Sequence, residues 1–150
     1  MPRATLPLPR RSTAGNKGSC LNAGPIHVCP VPPDLLAPRG HYSHAVCAAG
    51  LVFVAGQLPV RADGTQLNDK PFEEQAVQVL ANVAAALRSA GSSVDRLVQV
   101  RVYITDIALW PAFDPIYAQW AGSARPARAV VPVPQLHYGF MIEVEATALA

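Results

Sequence analysis

Arg128 and Glu143 are the two residues whose type and surroundings could do chemistry. Arg128 lies in Pro126-Ala127-Arg128-Ala129-Val130-Val131-Pro132-Val133, and Glu143 in Met141-Ile142-Glu143-Val144-Glu145-Ala146. An arginine among apolar neighbours needs an anion, because an unpaired buried guanidinium is costly. Its planar fork of donors suits a carboxylate. That carboxylate could be internal, from Glu143 or Glu145, in a purely structural salt bridge. It could instead belong to a small substrate, leaving Glu143 free to handle a proton or a water.

The elements that must position these residues follow from periodicity. Both runs have the β-branched density of strands. The connection from Pro134 to Phe140 contains Pro134 and Gly139, so the pair is expected to be antiparallel. Upstream, His41 to Ala48 reads as a first strand. Leu51 to Gln57 reads as a second, apolar on both faces and therefore central. Gly56 inside it suggests close approach by a ligand or another backbone. Pro71 opens a helix in which Phe72, Ala76, Val79, Leu80, Val83, Leu87 and Ala90 form one apolar face. Glu73 and Glu74 in its first turn, Arg88 in its last and Gly91 beyond fit the dipole and cap rules. Val98 to Thr105 alternates as a strand, and a shorter helix runs from Trp110 to Ala121. Its Phe113, Ile116, Tyr117 and Trp120 share one side, read as core packing. The order is β-β-α-β-α-β-β. This is an α+β fold with a mixed sheet and two helices on one face. The sheet's other face is then expected to carry Val, Ile and Phe and to be covered by partner subunits.

Composition limits the setting. At 150 residues the chain is long enough for one domain with a real core. Apolar residues reach 51% against 15% charged, a balance that favours burial of apolar surface between subunits. The net charge of +2 is unevenly placed: Arg3, Arg10, Arg11 and Lys17 stand in residues 1–33 with no acid. From residue 34 onward eight basic residues meet ten acidic ones, so the folded part lacks the basic stripe of a nucleic-acid binder. Residues 1–34 are expected to be a disordered basic, Pro-rich tail, and residues 35–150 the domain. Cys20, Cys29 and Cys47 have neither CxxC nor Cys/His ligand spacing, so no metal site and no disulfide framework is expected. No apolar run reaches membrane-spanning length, and a cytoplasmic protein is expected.

Three stretches resemble a known family. Ala37-Pro38 with Gly40-His41-Tyr42-Ser43-His44-Ala45-Val46 resembles the opening of RidA/YjgF proteins. Val54-Ala55-Gly56-Gln57-Leu58-Pro59-Val60 resembles their second strand. Pro126-Ala127-Arg128 with Ile142-Glu143-Val144-Glu145-Ala146 resembles their C-terminal signature. The resemblance spans residues 37–148 and implies a chorismate-mutase-like fold, assembled as a homotrimer around a central barrel with clefts between subunits. It also implies cofactor-independent hydrolysis of reactive imines and enamines, of the 2-aminoacrylate and 2-iminopropanoate type, to 2-keto acids and ammonia.

By that resemblance Arg128 holds the substrate carboxylate, and Glu143 places the water or shuttles a proton. Tyr42 closes the cleft from the neighbouring subunit, and Gly56 lets the substrate lie against backbone. The backbone of Val130 helps to hold the water or the imine nitrogen. Two positions depart from the family pattern: Val130 is often cysteine there, and Asp114 often asparagine. Asp114 puts a negative charge near a site meant for an anion. The alternative reading is a non-catalytic or pathway-specific small-molecule-binding trimer of the same family. His44 and His137 read as core-satisfied or solvated.

Overall fold

The computed structural model of the chain describes residues 25–150. Six strands and two helices follow in the order β1 (His27–Val28), β2 (Ala45–Ala48), β3 (Leu51–Gln57), α1 (Phe72–Ser89), β4 (Leu97–Ile104), α2 (Trp110–Ala121), β5 (Ala127–Pro132) and β6 (Ile142–Leu149). They form one mixed sheet ordered β1-β2-β3-β6-β4-β5, in which only β4 and β5 run parallel. The α+β class and the order of the seven expected elements hold.

Alternation decides which face the helices cover. Val52 and Val54, Val100, Val102 and Ile104, and Ile142, Val144, Ala146 and Ala148 are buried on one face. They pack with Ala76, Val79, Leu80, Val83 and Leu87 of α1 and with Phe113 and Tyr117 of α2 in a single core. The helix face expected of α1 is therefore the face it buries. Gly91 (φ 76°) ends this helix as expected, and the Ser92 N–H returns to Leu87 O at 2.9 Å.

Four expectations need correction. The strands bearing Arg128 and Glu143 are not neighbours, because β4 lies between them and pairs with both. The short β4-α2-β5 crossover places β5 beside β4, so β6 must enter on β4's other side. Second, the expected tail boundary at residue 34 is too late. His27 and Val28 pair with Cys47 and Val46, Cys29 and Leu35 are buried, and Asp34 forms an ion pair with Arg88. Two apolar anchors suffice to hold this Pro-rich segment, and its lack of periodicity hid them. Residues 1–24 of the expected tail lie outside the described residues. Third, Cys47 is disulfide-bonded, whereas the buried Cys29 is a free thiol 3.4 Å from the Cys47 sulfur. β1 folds this segment back against β2, a proximity that spacing could not show.

The fourth correction concerns the open face of the sheet, which is not a bare Val/Ile/Phe surface. It carries Phe53, Gln99, Arg101, Tyr103, Ala129, Val131, Glu143, Glu145 and Thr147. Arg101 donates to Glu145 at 2.9 Å, and Tyr103 donates to the same carboxylate oxygen at 3.2 Å. Phe53, Val131 and Leu149 are the exposed large apolar residues there. Among the described residues no helix is long and apolar enough to cross a membrane.

Candidate active site

Strand alternation puts Arg128 and Glu143 on opposite faces of the sheet. Arg128 pairs in register with Val100, whose side chain is fully buried under the helices. Glu143 pairs with Tyr103 on the open face. Neither Glu143 nor Glu145 is therefore the anion of Arg128, so the internal alternative offered by the sequence does not form with either of them. Arg128 donates instead from Nη2 to Asp114 Oδ1 at 2.9 Å.

The setting of Arg128 comes from α2. Trp110, Asp114 and Tyr117 follow one another at four- and three-residue steps, so they project from one side of the helix. The guanidinium lies 4.5 Å from the centroid of the Tyr117 ring and 5.6 Å from that of Trp110. Both distances are within cation–π range. Tyr117 is core, as expected for that face, yet it also carries the arginine. Its hydroxyl and the indole N–H of Trp120 are buried without a hydrogen-bond partner. Burial pushes the Tyr117 hydroxyl up, and the charges of Arg128 and Arg125 pull against that.

Glu143 is held in a different way. A Cβ at Gly56 would collide with its Oε1 and stand 3.1 Å from its Cδ. The space over Gly56 is thus filled by the Glu143 carboxyl, which a side chain at that position would displace. Burial raises the Glu143 pKa above the ordinary carboxylate value, with His137 lowering it and Glu145 adding to the rise. A carboxyl tuned upward in this way is better matched to proton transfer near neutral pH. Tyr42, 49% exposed, lines a cleft of about 120 Å³ together with Gly56, Arg39, Asn82 and Tyr138. Gly56 thus borders this cleft while Glu143 reaches over it.

Val130 stands beside Arg128 on the helix face, half-buried, opposite Val102. The Val133 N–H bonds Ile104 O on β4 at 2.8 Å. Alternation along β5 then turns the backbone of Val130, like that of Pro132, toward the free edge of the sheet. His44 is a structural residue: its Nε2 meets Leu36 O at 2.7 Å, and Gln57 Nε2 meets its Nδ1 at 3.3 Å.

Residues 33–150 match the family model described as Endoribonuclease L-PSP. The chain belongs to the RidA/YjgF/RutC family. A RutC family protein of Pyrococcus horikoshii is 35% identical over 74% of this chain and 88% of its own length. Among solved structures, YyfA of Yersinia pestis, a Rid family protein of unknown function, superposes with a TM-score of 0.79 at 32% identity. That match covers 83% of this chain and 99% of YyfA. TdcF of E. coli, solved with bound serine, gives 0.75 at 28% identity over 82% of this chain and 98% of TdcF. The RidA-like fold of this chain is thus shared over nearly the whole length of these solved relatives.

Sequence reasoning missed two residues that support the strands carrying these groups. Gln75, fully buried on α1, accepts from the Met141 N–H and donates to Lys70 O, fixing the entry to β6 two residues before Glu143. Asn82 donates to the carbonyls of Leu58 and Val60, both at 2.9 Å, and so holds the exit of β3. Both were legible only as polar interruptions of an apolar helix face. Trp110 was placed at the start of α2 without its role beside Arg128.

Proposed function

We propose that the protein hydrolyses small 2-imino acids and their enamine tautomers to 2-keto acids and ammonia, without a cofactor, at a site shared between subunits of a homotrimer. The observation that carries this reading is the placement of Arg128 and Glu143 on opposite sheet faces, each in a prepared setting. A cation and a base on opposite faces of one sheet serve one substrate only if different protomers supply them. Arg128 of one protomer then holds the carboxylate. Glu143 and Tyr42 come from the neighbour, and the free edge of β5 at Val130 offers backbone groups at the boundary. TdcF, a relative with bound serine, supports a site for small amino-acid-like molecules.

The chemistry needs little beyond positioning. A protonated imine carbon is already electrophilic, and holding the carboxylate fixes it in front of the water. Glu143 accepts a proton as the water oxygen bonds to C2 and the C=N π pair moves to nitrogen. It returns that proton to the nitrogen of the carbinolamine. Loss of the hydroxyl proton forms the C=O bond as the C–N bond breaks and ammonia leaves. An upward-tuned carboxyl suits this two-way traffic.

The test is loss of freshly generated 2-iminobutanoate and 2-iminopropanoate, followed by semicarbazide trapping, for wild type and Arg128→Ala. Acceleration by wild type and its loss in the variant are expected. Failure of wild type to exceed the uncatalysed rate on any imine would leave the alternative of a small-molecule-binding trimer. RNA cleavage, the activity in the family model's description, fits poorly with the excess of acid over base from residue 34 onward.

A further inference from the structure

We propose that Asp114 is a specificity-determining residue: it competes with the substrate for Arg128 and tilts the site toward imines bearing a neutral carbonyl instead of a free carboxylate. This rests on the reading of Arg128 as the substrate anchor. The Tyr117 and Trp110 rings lie against the guanidinium, and its N–H groups point outward in its own plane. Acceptors must approach in the plane, along the N–H edges. One of those donors, Nη2, is already engaged by the Asp114 carboxylate at 2.9 Å.

The position of this carboxylate is built in. It lies on α2 between Trp110 and Tyr117, so the helix that aligns the arginine also delivers its competitor. Asp114 is 52% exposed and the Arg128 side chain 22%, so the pair borders solvent where a ligand can reach it. An incoming carboxylate must displace Asp114 or sit beside it as a second anion, and like charges at that spacing repel. An amide or ester carbonyl meets neither demand. It accepts from the remaining N–H groups while the Arg128–Asp114 pair stays intact. The advantage that a bare arginine gives to acids is thereby trimmed.

The experiment compares 2-iminobutanoate with 2-iminobutanamide, each released in situ by loss of HCl from the N-chlorinated amino compound. Wild type and Asp114→Asn are assayed on both. The variant is expected to raise the acid-to-amide ratio of kcat/KM about two- to fivefold, the scale of an exposed ion pair. The change should reside in KM for the acid. A merely structural Asp114 would instead depress both substrates together. An unchanged or falling ratio overturns the proposal while deamination stands. Binding of 2-oxobutanoate and 2-oxobutanamide, followed by NMR titration, separates the two failures. If neither imine is turned over, tighter 2-oxobutanoate binding by Asp114→Asn sustains the competition although deamination has failed. Equal affinity, or no binding by either protein, overturns it.

Discussion

Glu143 and Gly56 act as one unit, and their predictions belong together. Burial favours the neutral carboxyl in the folded state, so the Glu143 pKa is raised on folding. The sign follows from linkage: any stability tied to this group is complete below the ordinary value and is lost as pH rises through the raised one. Glu143→Gln should therefore match wild type in Tm in acid and exceed it at neutral pH, a pattern that thermal melts across pH can read. Its kcat for imine hydrolysis should fall about 10²- to 10⁴-fold, the usual contribution of a positioned base. Gly56→Ala should act through the same carboxyl. The new Cβ drives it outward into water, so the acid limb of the pH–rate profile should move down toward ordinary carboxylate values as kcat falls. An unmoved limb would mean that Glu143 is not the titrating base. In the sequence, Arg128 and Glu143 were legible as a candidate pair because an arginine in an apolar strand demands an anion. The resemblance set Asp114 near the site, but its direct bond to Arg128 was not legible, because α2 and β5 meet only in the folded chain.

Among the elements, the helices were the most legible. The apolar period of α1 maps onto its buried face, and Gly91 marks its end. Pairing of strands was not legible, since β-propensity identifies a strand but not its neighbour. Pro126 to Ala146 looked like a hairpin, and only the α2 crossover shows why β4 must separate its two arms. The short β1 was missed for a related reason: its pairing with β2 depends on two buried side chains, Cys29 and Leu35, and not on any repeat. The Gln75 tether is the element-scale prediction. Gln75→Leu leaves the Met141 N–H without its acceptor and should cost about 1–3 kcal/mol in urea denaturation. The entry to β6 would loosen, so hydrogen exchange at Met141 should quicken, and kcat should fall less than in Glu143→Gln.

At the scale of the whole molecule, the two half-sites predict that activity depends on association. Wild type should behave as a trimer in native mass measurement. Phe53→Asp, which places a charge on the open face, should shift it toward monomer and abolish imine hydrolysis in parallel. A fully active monomer would contradict a site shared between subunits. The mixed character of that face, with the Arg101–Glu145 pair and the Tyr103 hydroxyl beside Phe53 and Val131, suits a partner of matching polarity better than a wholly greasy seal. This polarity is what the composition could not reveal, because 51% apolar content says how much is hidden but not where.

The middle of the sheet is occupied by β6, with β3 on one side and β4 on the other. During synthesis the chain emerges from its N-terminal end, so the keystone of the sheet is the last strand to leave the ribosome. Until then the β2–β3 hairpin and the β4-α2-β5 unit have facing edges with nothing to join them, and each exposes unpaired backbone able to recruit other chains. Nascent chains stalled before Ile142 should therefore be sticky and protease-sensitive, and emergence of β6 should convert them to a resistant form in one step.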